Sequence, residues 1–279
     1  GAIDQRNLYV AVLSDITRLF RLPPDALGTL TSSVQLGFIV GTLCFALLQI
    51  ADRFPPSRVF FFCALIAAAS NLAVLRADGF TSLLLLRSLT GISLAGIYPV
   101  GMKIAADHHE KGLGRALGFL VGALVIGTSF PHLLKAFTGL FNWELVLIWT
   151  SVLAASGGIL ILLLVPDGPY RRPGARIRLG AVYRVFRIPG FRAAAFGYFG
   201  HMWELYTFWA FIPVILTTYL DAHPGTDWPV PLLSFLIVFA GFPSCVAGGY
   251  ISGYLGSFRT ARTALFISML CCLGSPLFF

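Results

Sequence analysis

Apolar residues run along this chain in long blocks, and short turn-rich or charged stretches separate them. A helix needs about 20 residues to cross roughly 30 Å of hydrocarbon. Seven blocks approach that length: Leu27 to Ile50, Val59 to Leu75, Ser82 to Ala105, Leu113 to Phe137, Trp143 to Val165, Ala193 to Leu220 and Val230 to Leu255. An eighth opens near Thr263 and is still apolar at Phe279, and Tyr9 to Leu13 reads as the tail of a further span. The pattern predicts an all-α polytopic membrane protein, because a backbone in lipid must satisfy its own amides. Composition agrees: 57% hydrophobic and 11% charged residues leave too few charges to solvate a water-soluble globule of 279 residues.

The formal charge of +8 at first suggests nucleic acid, but the basic residues are spread over short loops and form no single patch, so no nucleic-acid partner is expected. Their spread gives orientation instead. When alternate loops are threaded to opposite sides, fourteen Lys and Arg fall on one face and four (Arg18, Arg21, Arg76 and Lys135) on the other. By the positive-inside rule the richer face is cytoplasmic. All five cysteines lie in apolar blocks without CxxC spacing, which argues against a disulfide frame or zinc site and favours small buried hydrophobes. Asp107-His108-His109-Glu110 looks metal-like, but consecutive side chains on one helix cannot converge on an ion, so no metal or cofactor is expected.

The longest polar interruption, 166–192, divides the chain into an N-terminal bundle at 1–165, a cytoplasmic linker, and the start of a second bundle at 193–279. Within the linker, Arg176 to Arg187 alternates Arg with apolar residues as an interfacial helix would; a solvated linker is the competing reading. A faint repeat supports two related halves. Asp52 and Arg58 are spaced like Gly253 and Arg259, both pairs displaced by 201 positions, with Pro55 falling on Gly256. That displacement leads us to expect a first helix that began before Gly1. Asp4, Gln5, Arg6 and Asn7 are polar where this helix should be apolar.

Ala51-Asp52-Arg53-Phe54-Pro55-Pro56-Ser57-Arg58 resembles the cytoplasmic signature loop of the major facilitator superfamily, with Leu48 and Pro55 at the positions of its two glycines. Arg87-Ser88-Leu89-Thr90-Gly91 resembles the family's fourth-helix motif, and Gly114, Gly118, Gly122 and Gly127 its Gly-rich fifth helix. The runs at 28–43, 95–103 and 196–209 look most like bacterial members near the nitrate and cyanate carriers. The resemblance implies a two-bundle fold, of which this chain holds about eight or nine of twelve helices, lacking the last three. It also implies a cytoplasmic latch at Asp52, Arg53 and Arg58, echoed at Gly253 and Arg259.

A charge within a membrane span costs a few kcal/mol even on the gentler scales and is a functional candidate by default. Glu204 is the clearest, with His201 one turn before it and Tyr198 one turn before that. Together the carboxylate and imidazole are candidates to carry a proton; a polar pair that only pins its helix is the alternative. Gly91, Tyr98 and Met102 follow Arg87 on nearly the same helical face, since eleven residues at about 100° each return almost to the starting angle. It either attracts an anion, partners a carboxylate such as Glu204, or snorkels outward. Gln35, Tyr98 and Trp203 lie on spans that line the cavity of the resembled fold, with ordinary helix packing as the alternative. Lys103 is expected to anchor at the cytoplasmic interface. Gly37 with Gly41, the Gly114 series, and Gly249 with Gly253 offer faces for close helix approach, and Pro131-His132 is a candidate kink.

These features lead us to expect a secondary active transporter of a small solute, with an anion among the candidates. It would work as a monomer in the bacterial inner membrane by alternating access, with protons as the coupling ion and the lipid bilayer as surroundings. A solute sensor that kept the carrier fold, and an intramembrane enzyme using His201 and Glu204, are the competing classes. The other spans hold almost no acids, which weighs against an enzyme.

Overall fold

The computed structural model describes residues 26–137, 143–171, 183–226 and 228–274, and the regular structure there is helical throughout. The expectations for Asp4 to Asn7, Tyr9 to Leu13 and most of the proposed interfacial helix lie outside the described residues. The helices are α1 (Ala26–Leu48), a single turn α2 (Ile50–Arg53), α3 (Pro56–Ala73), α4 (Phe80–Leu94), α5 (Tyr98–His108), α6 (Leu113–Phe137) and α7 (Trp143–Leu164). After the linker come α8 (Pro189–Ala222), α9 (Val230–Phe239), α10 (Gly241–Leu255) and α11 (Ser257–Gly274). Among the described residues, six segments are long and apolar enough to cross a membrane: Pro56–Arg76, Phe80–His108, Leu113–Phe137, Leu147–Leu164, Pro189–Ala222 and Val230–Leu255. In α1 the apolar stretch Ser32–Leu48 is shorter.

Local chemistry sets the boundaries. Helices α3 and α8 begin on Pro56 and Pro189, where a missing N–H costs nothing. At the start of α4 the Ser82 hydroxyl accepts from the Gly79 N–H at 3.2 Å and donates to the Gly79 carbonyl at 2.8 Å. The expected span to Ile50 instead stops at Leu48, because Gln49 takes a left-handed backbone, φ 54°, before the signature loop.

Two expected single spans are each interrupted. Between α4 and α5 the backbone tightens to i to i−3 bonds: Ala95 N–H to Ile92 O, Gly96 to Ser93 and Ile97 to Leu94. Between α9 and α10 the break falls at Ala240. A proline follows each break, Pro99 and Pro243, and its ring crowds the carbonyl four residues back. The first break also removes the basis for placing Tyr98 and Met102 on the face of Arg87, since that register needs an uninterrupted helix. Pro131, by contrast, sits inside a continuous α6. Helix α8 is longer than expected, 34 residues or roughly 50 Å at 1.5 Å per residue. Helix α11 starts at Ser257, ahead of the expected Thr263.

The contacts group these helices into two compact units: α1 to α5 with α7, and α6 with α8 to α11. The division at 1–165, 166–192 and 193–279 follows chain position, whereas contacts place α6 with the helices after the linker. In the first unit α1 packs along α4, and α3 along α4 and α7. Its small core of Val59, Cys63 and Val100 is flanked by Phe45, Phe60 and Ile104. In the second, α6 packs along α10 and α9, with Val125, Ile212 and Val238 at the core.

Many large apolar side chains face outward, among them Leu163, Leu164, Phe196 and Leu273. Buried positions, by contrast, are rich in Ala, Ser and Gly. Lipid solvates apolar side chains as well as a core does, so contact between helices relies on close backbone approach at small residues. A Cβ on Gly37 would overlap the Ser88 carbonyl, and one on Gly91 the Val34 carbonyl, so α1 and α4 touch backbone to backbone. On α6 a Cβ at Gly118 would lie 2.8 Å from the Cys245 carbonyl oxygen of α10, and one on Gly249 2.7 Å from the Gly114 carbonyl oxygen. Gly127 and Gly253 face open space, so the close-approach expectation does not extend to them. Of the cysteines only Cys63 is buried; Cys44, Cys271 and Cys272 are exposed, unlike the small buried hydrophobes expected.

One substitution placed twice on α6 separates packing from propensity. Gly118→Ala should destabilise by about 1–3 kcal/mol through overpacking. Gly127→Ala should be neutral or stabilising by roughly 0.5–1 kcal/mol, because a mid-helix glycine is entropically costly. Thermal unfolding of both variants in detergent checks the contrast.

Candidate functional site

Two polar clusters occur at helix positions otherwise filled by apolar residues, and a third surrounds the signature loop. The first lies in the second unit, on α8 and α11. Glu204 Oε1 accepts a hydrogen bond from the Ser268 hydroxyl, and the Cys272 thiol donates to the same oxygen at 3.5 Å. Ser268 and Cys272 are four residues apart, one helical turn, so both reach one acceptor. The other carboxylate oxygen, Oε2, lies 3.6 Å from His201 Nδ1, an ion pair only when the imidazole is protonated. That distance is too long for a hydrogen bond. Glu204 is 31% exposed and His201 43%. The predicted pair is therefore adjacent, and its hydrogen-bond donors come from another helix. Tyr198 is exposed and sets its ring edge against Phe199, with no hydrogen bond to the pair among the described residues. Trp203, next to Glu204 in sequence, is the more exposed at 79%.

The second cluster lies in the first unit. Arg87 on α4 donates from Nη2 to Asn71 Oδ1 of α3 at 3.2 Å. Asn71 Nδ2 in turn meets the Leu147 carbonyl at 3.2 Å, Thr150 Oγ1 at 3.1 Å and Ser151 Oγ at 3.0 Å, all on α7. Arg87 is thus tied to a neutral carboxamide, a partner that neither an anion-attracting nor a snorkelling role anticipated. Among the described residues no carboxylate pairs with it. Gln35 is exposed on α1, and Tyr98 stands half-buried at the start of α5.

The third cluster surrounds the signature loop. Asp52 pairs with Lys103 at 3.2 Å, and Lys103 also pairs with Asp107 one turn on at 3.3 Å. Lys103 therefore bridges two acids, which is more than the interfacial anchoring expected of it. Arg171 donates to the carbonyls of Asp52 at 3.2 Å and Phe54 at 3.0 Å while pairing with Asp167 at 2.9 Å. Ser57 Oγ donates to the Val165 carbonyl at 2.7 Å, and the Tyr170 N–H to the Asp107 carbonyl at 3.0 Å. The segment after α7 is thereby fastened to the ends of α3 and α5. Arg53 and Arg58 are exposed, as is Arg259 in the second unit.

Asn71, Ser268, Cys272 and Arg171 were not singled out as site residues in the sequence. Asn71 had a signal, a carboxamide in the otherwise apolar block from Val59 to Leu75. Ser268 had none, because a serine mid-span most often bonds its own helix, as Ser70 does to Ile66 O and Ser234 to Val230 O.

The family model described as Major Facilitator Superfamily matches residues 2–279. Among individual proteins, the chain is 24% identical over 172 residues to "Uncharacterized MFS-type transporter YybF" of Bacillus subtilis (strain 168), covering 61% of this chain and 42% of that protein. It is 24% identical over 167 residues to "Inner membrane transport protein YnfM" of Escherichia coli (strain K12), covering 58% of this chain and 39% of that one. The chain thus spans about two fifths of the length of these curated relatives. Both relatives carry names that describe transport proteins.

The signature-loop contacts have a direct test. A double-mutant cycle with Asp52→Asn and Lys103→Gln should return a favourable coupling of about 0.2–1 kcal/mol, the range for a partly exposed pair. Unfolding midpoints of the four proteins in detergent measure it; strictly additive effects would exclude the pairing.

Proposed function

The chain belongs to the Major Facilitator Superfamily, and on that premise we propose that its protein is a secondary active transporter. It moves a small, anionic solute across the bacterial inner membrane by alternating access, as a monomer, and couples that movement to protons. The observation that carries this reading is the Glu204 cluster. A carboxylate on a membrane-crossing helix accepts hydrogen bonds from Ser268 and Cys272 and has an imidazole beside it. A charge in lipid is costly enough to be kept for a role. Glu204 is therefore the proton carrier and His201 the group that relays the proton or steadies its charge, since imidazole titrates near neutral pH. Trp203 and Tyr198 lie on the same helix, beside the proton path.

Arg87 supplies the positive charge for the solute, and Gln35 and Tyr98 are the hydrogen-bonding side chains of the solute path in the first unit. The latch comprises Asp52 with Arg53 and Arg58, with Gly253 and Arg259 in the corresponding loop of the second unit. Its strongest support is the Asp52–Lys103 pair, which ties the loop to α5. A salt bridge of this kind can open and re-form at modest cost, as a gate requires.

Counterflow by the full-length protein in proteoliposomes tests transport, since only a carrier exchanges labelled for unlabelled solute without chemical change. Glu204→Gln should keep counterflow but lose accumulation driven by an imposed pH gradient, by tenfold or more. Accumulation that followed the pH gradient as in the wild type would remove Glu204 from the coupling role.

A further inference from the structure

The bonding around Arg87 fixes more than its position. An Asn carboxamide can usually be turned over, because its oxygen and nitrogen have the same shape. At Asn71 the neighbours forbid it. The Leu147 carbonyl can only accept, and the Thr150 hydroxyl directs its own hydrogen to that carbonyl at 3.1 Å, so Thr150 Oγ1 presents a lone pair to Asn71. Turning the amide over would set oxygen against these acceptors and NH2 against the guanidinium. The amide nitrogen therefore belongs to α7 and the oxygen to Arg87, 3.2 Å from Nη2.

A neutral partner has an electrostatic consequence. An aspartate at the same place would cancel the charge of Arg87 in low-dielectric surroundings, where such pairing is strong. The carboxamide holds the guanidinium by direction alone and leaves its charge in place. Arginine has five N–H donors in a rigid fork, and among the described residues one is engaged, with Asn71. The remainder match a planar oxyanion, which a guanidinium binds through two parallel hydrogen bonds. The cluster sits two turns or so from the start of α4, since Arg87 follows Phe80 by about 10 Å of helix.

We propose that Asn71 is the positioning residue that holds Arg87, which pairs with no carboxylate among the described residues, as a cation for a planar anionic group, a carboxylate or a nitrate-like ion, on the solute. The proposal rests on the reading that Arg87 lies on the solute path. Its content is that the carboxamide of Asn71, fixed in orientation by Leu147, Thr150 and Ser151, sets both the aim and the net charge of that site.

The test uses the purified full chain in detergent, with sodium benzoate and sodium nitrate as probes and gluconate holding ionic strength constant. Affinity is read from the rise in unfolding midpoint with probe concentration. The wild type should show saturable stabilisation by at least one probe, and Arg87→Gln should lose it. Asn71→Asp should weaken that probe at least tenfold by cancelling the charge. Asn71→Leu should weaken it several-fold by loosening the aim. Ser70→Ala, beside Asn71 on α3 at a hydroxyl that donates to Ile66 O of its own helix, should stay within threefold.

A merely structural clasp predicts the reverse order, with Leu more harmful than Asp. If Arg87→Gln abolishes the response while Asn71→Asp stays within threefold of wild type, the role of Asn71 is overturned and the anion reading stands. If Arg87→Gln changes nothing, or the wild type responds to neither probe, the anion reading falls and the proposal with it. Should Asn71→Asp fail to fold, Asn71→Leu decides: wild-type affinity there would overturn the proposal.

Discussion

A backbone amide in hydrocarbon has no water to turn to, and that constraint shapes every level of this protein. It permits only helices among the membrane-crossing segments, and it makes each interruption of a helix something the chain must repair locally. The two broken spans show the repair. At residues 95–97 the backbone falls back on shorter i to i−3 bonds ahead of Pro99, so the amides stay satisfied while the axis is free to change direction. Side-chain hydroxyls obey the same constraint, with Ser70, Thr90, Ser93 and Ser234 each returning a hydrogen bond to a carbonyl one turn back.

Because lipid rewards apolar burial no more than a neighbouring helix does, helix association depends on distance of approach. Gly37, Gly91, Gly118 and Gly249 provide it, each set against a backbone carbonyl of the facing helix. Such interfaces hold rigid helices together without long interlocking side chains. That suits a molecule whose proposed work is movement of packed helices past one another, with the bonds of the signature loop as a reversible restraint.

The polar clusters follow from the same solvent. Glu204 and Arg87 are both charged residues on membrane-crossing segments, and the structure treats them differently. The carboxylate receives donors from Ser268 and Cys272 and stands beside an imidazole, an environment suited to exchanging a proton. The guanidinium receives one neutral acceptor fixed from behind by α7, an environment suited to keeping its charge.

By itself the sequence determined the solvent, the helical class, most span boundaries to within a few residues and which charged residues lie inside the spans. Those properties depend on composition and on patterns along a single helix. Glu204, Arg87 and Asp52 stood out as charges for that reason, and Gly114, Gly118 and Gly122 as a close-approach face, whereas Gly127 faces open space. Only the tertiary structure decided that Arg87 answers to Asn71, that Lys103 bridges Asp52 and Asp107, and that Ser268 and Cys272 donate to Glu204. These pairings join residues on different helices, and their choice depends on how closely the backbones approach and on which side of each helix the contact falls. No periodicity in the chain encodes that choice, because many polar residues have an acceptable partner on their own helix until a neighbouring helix offers another.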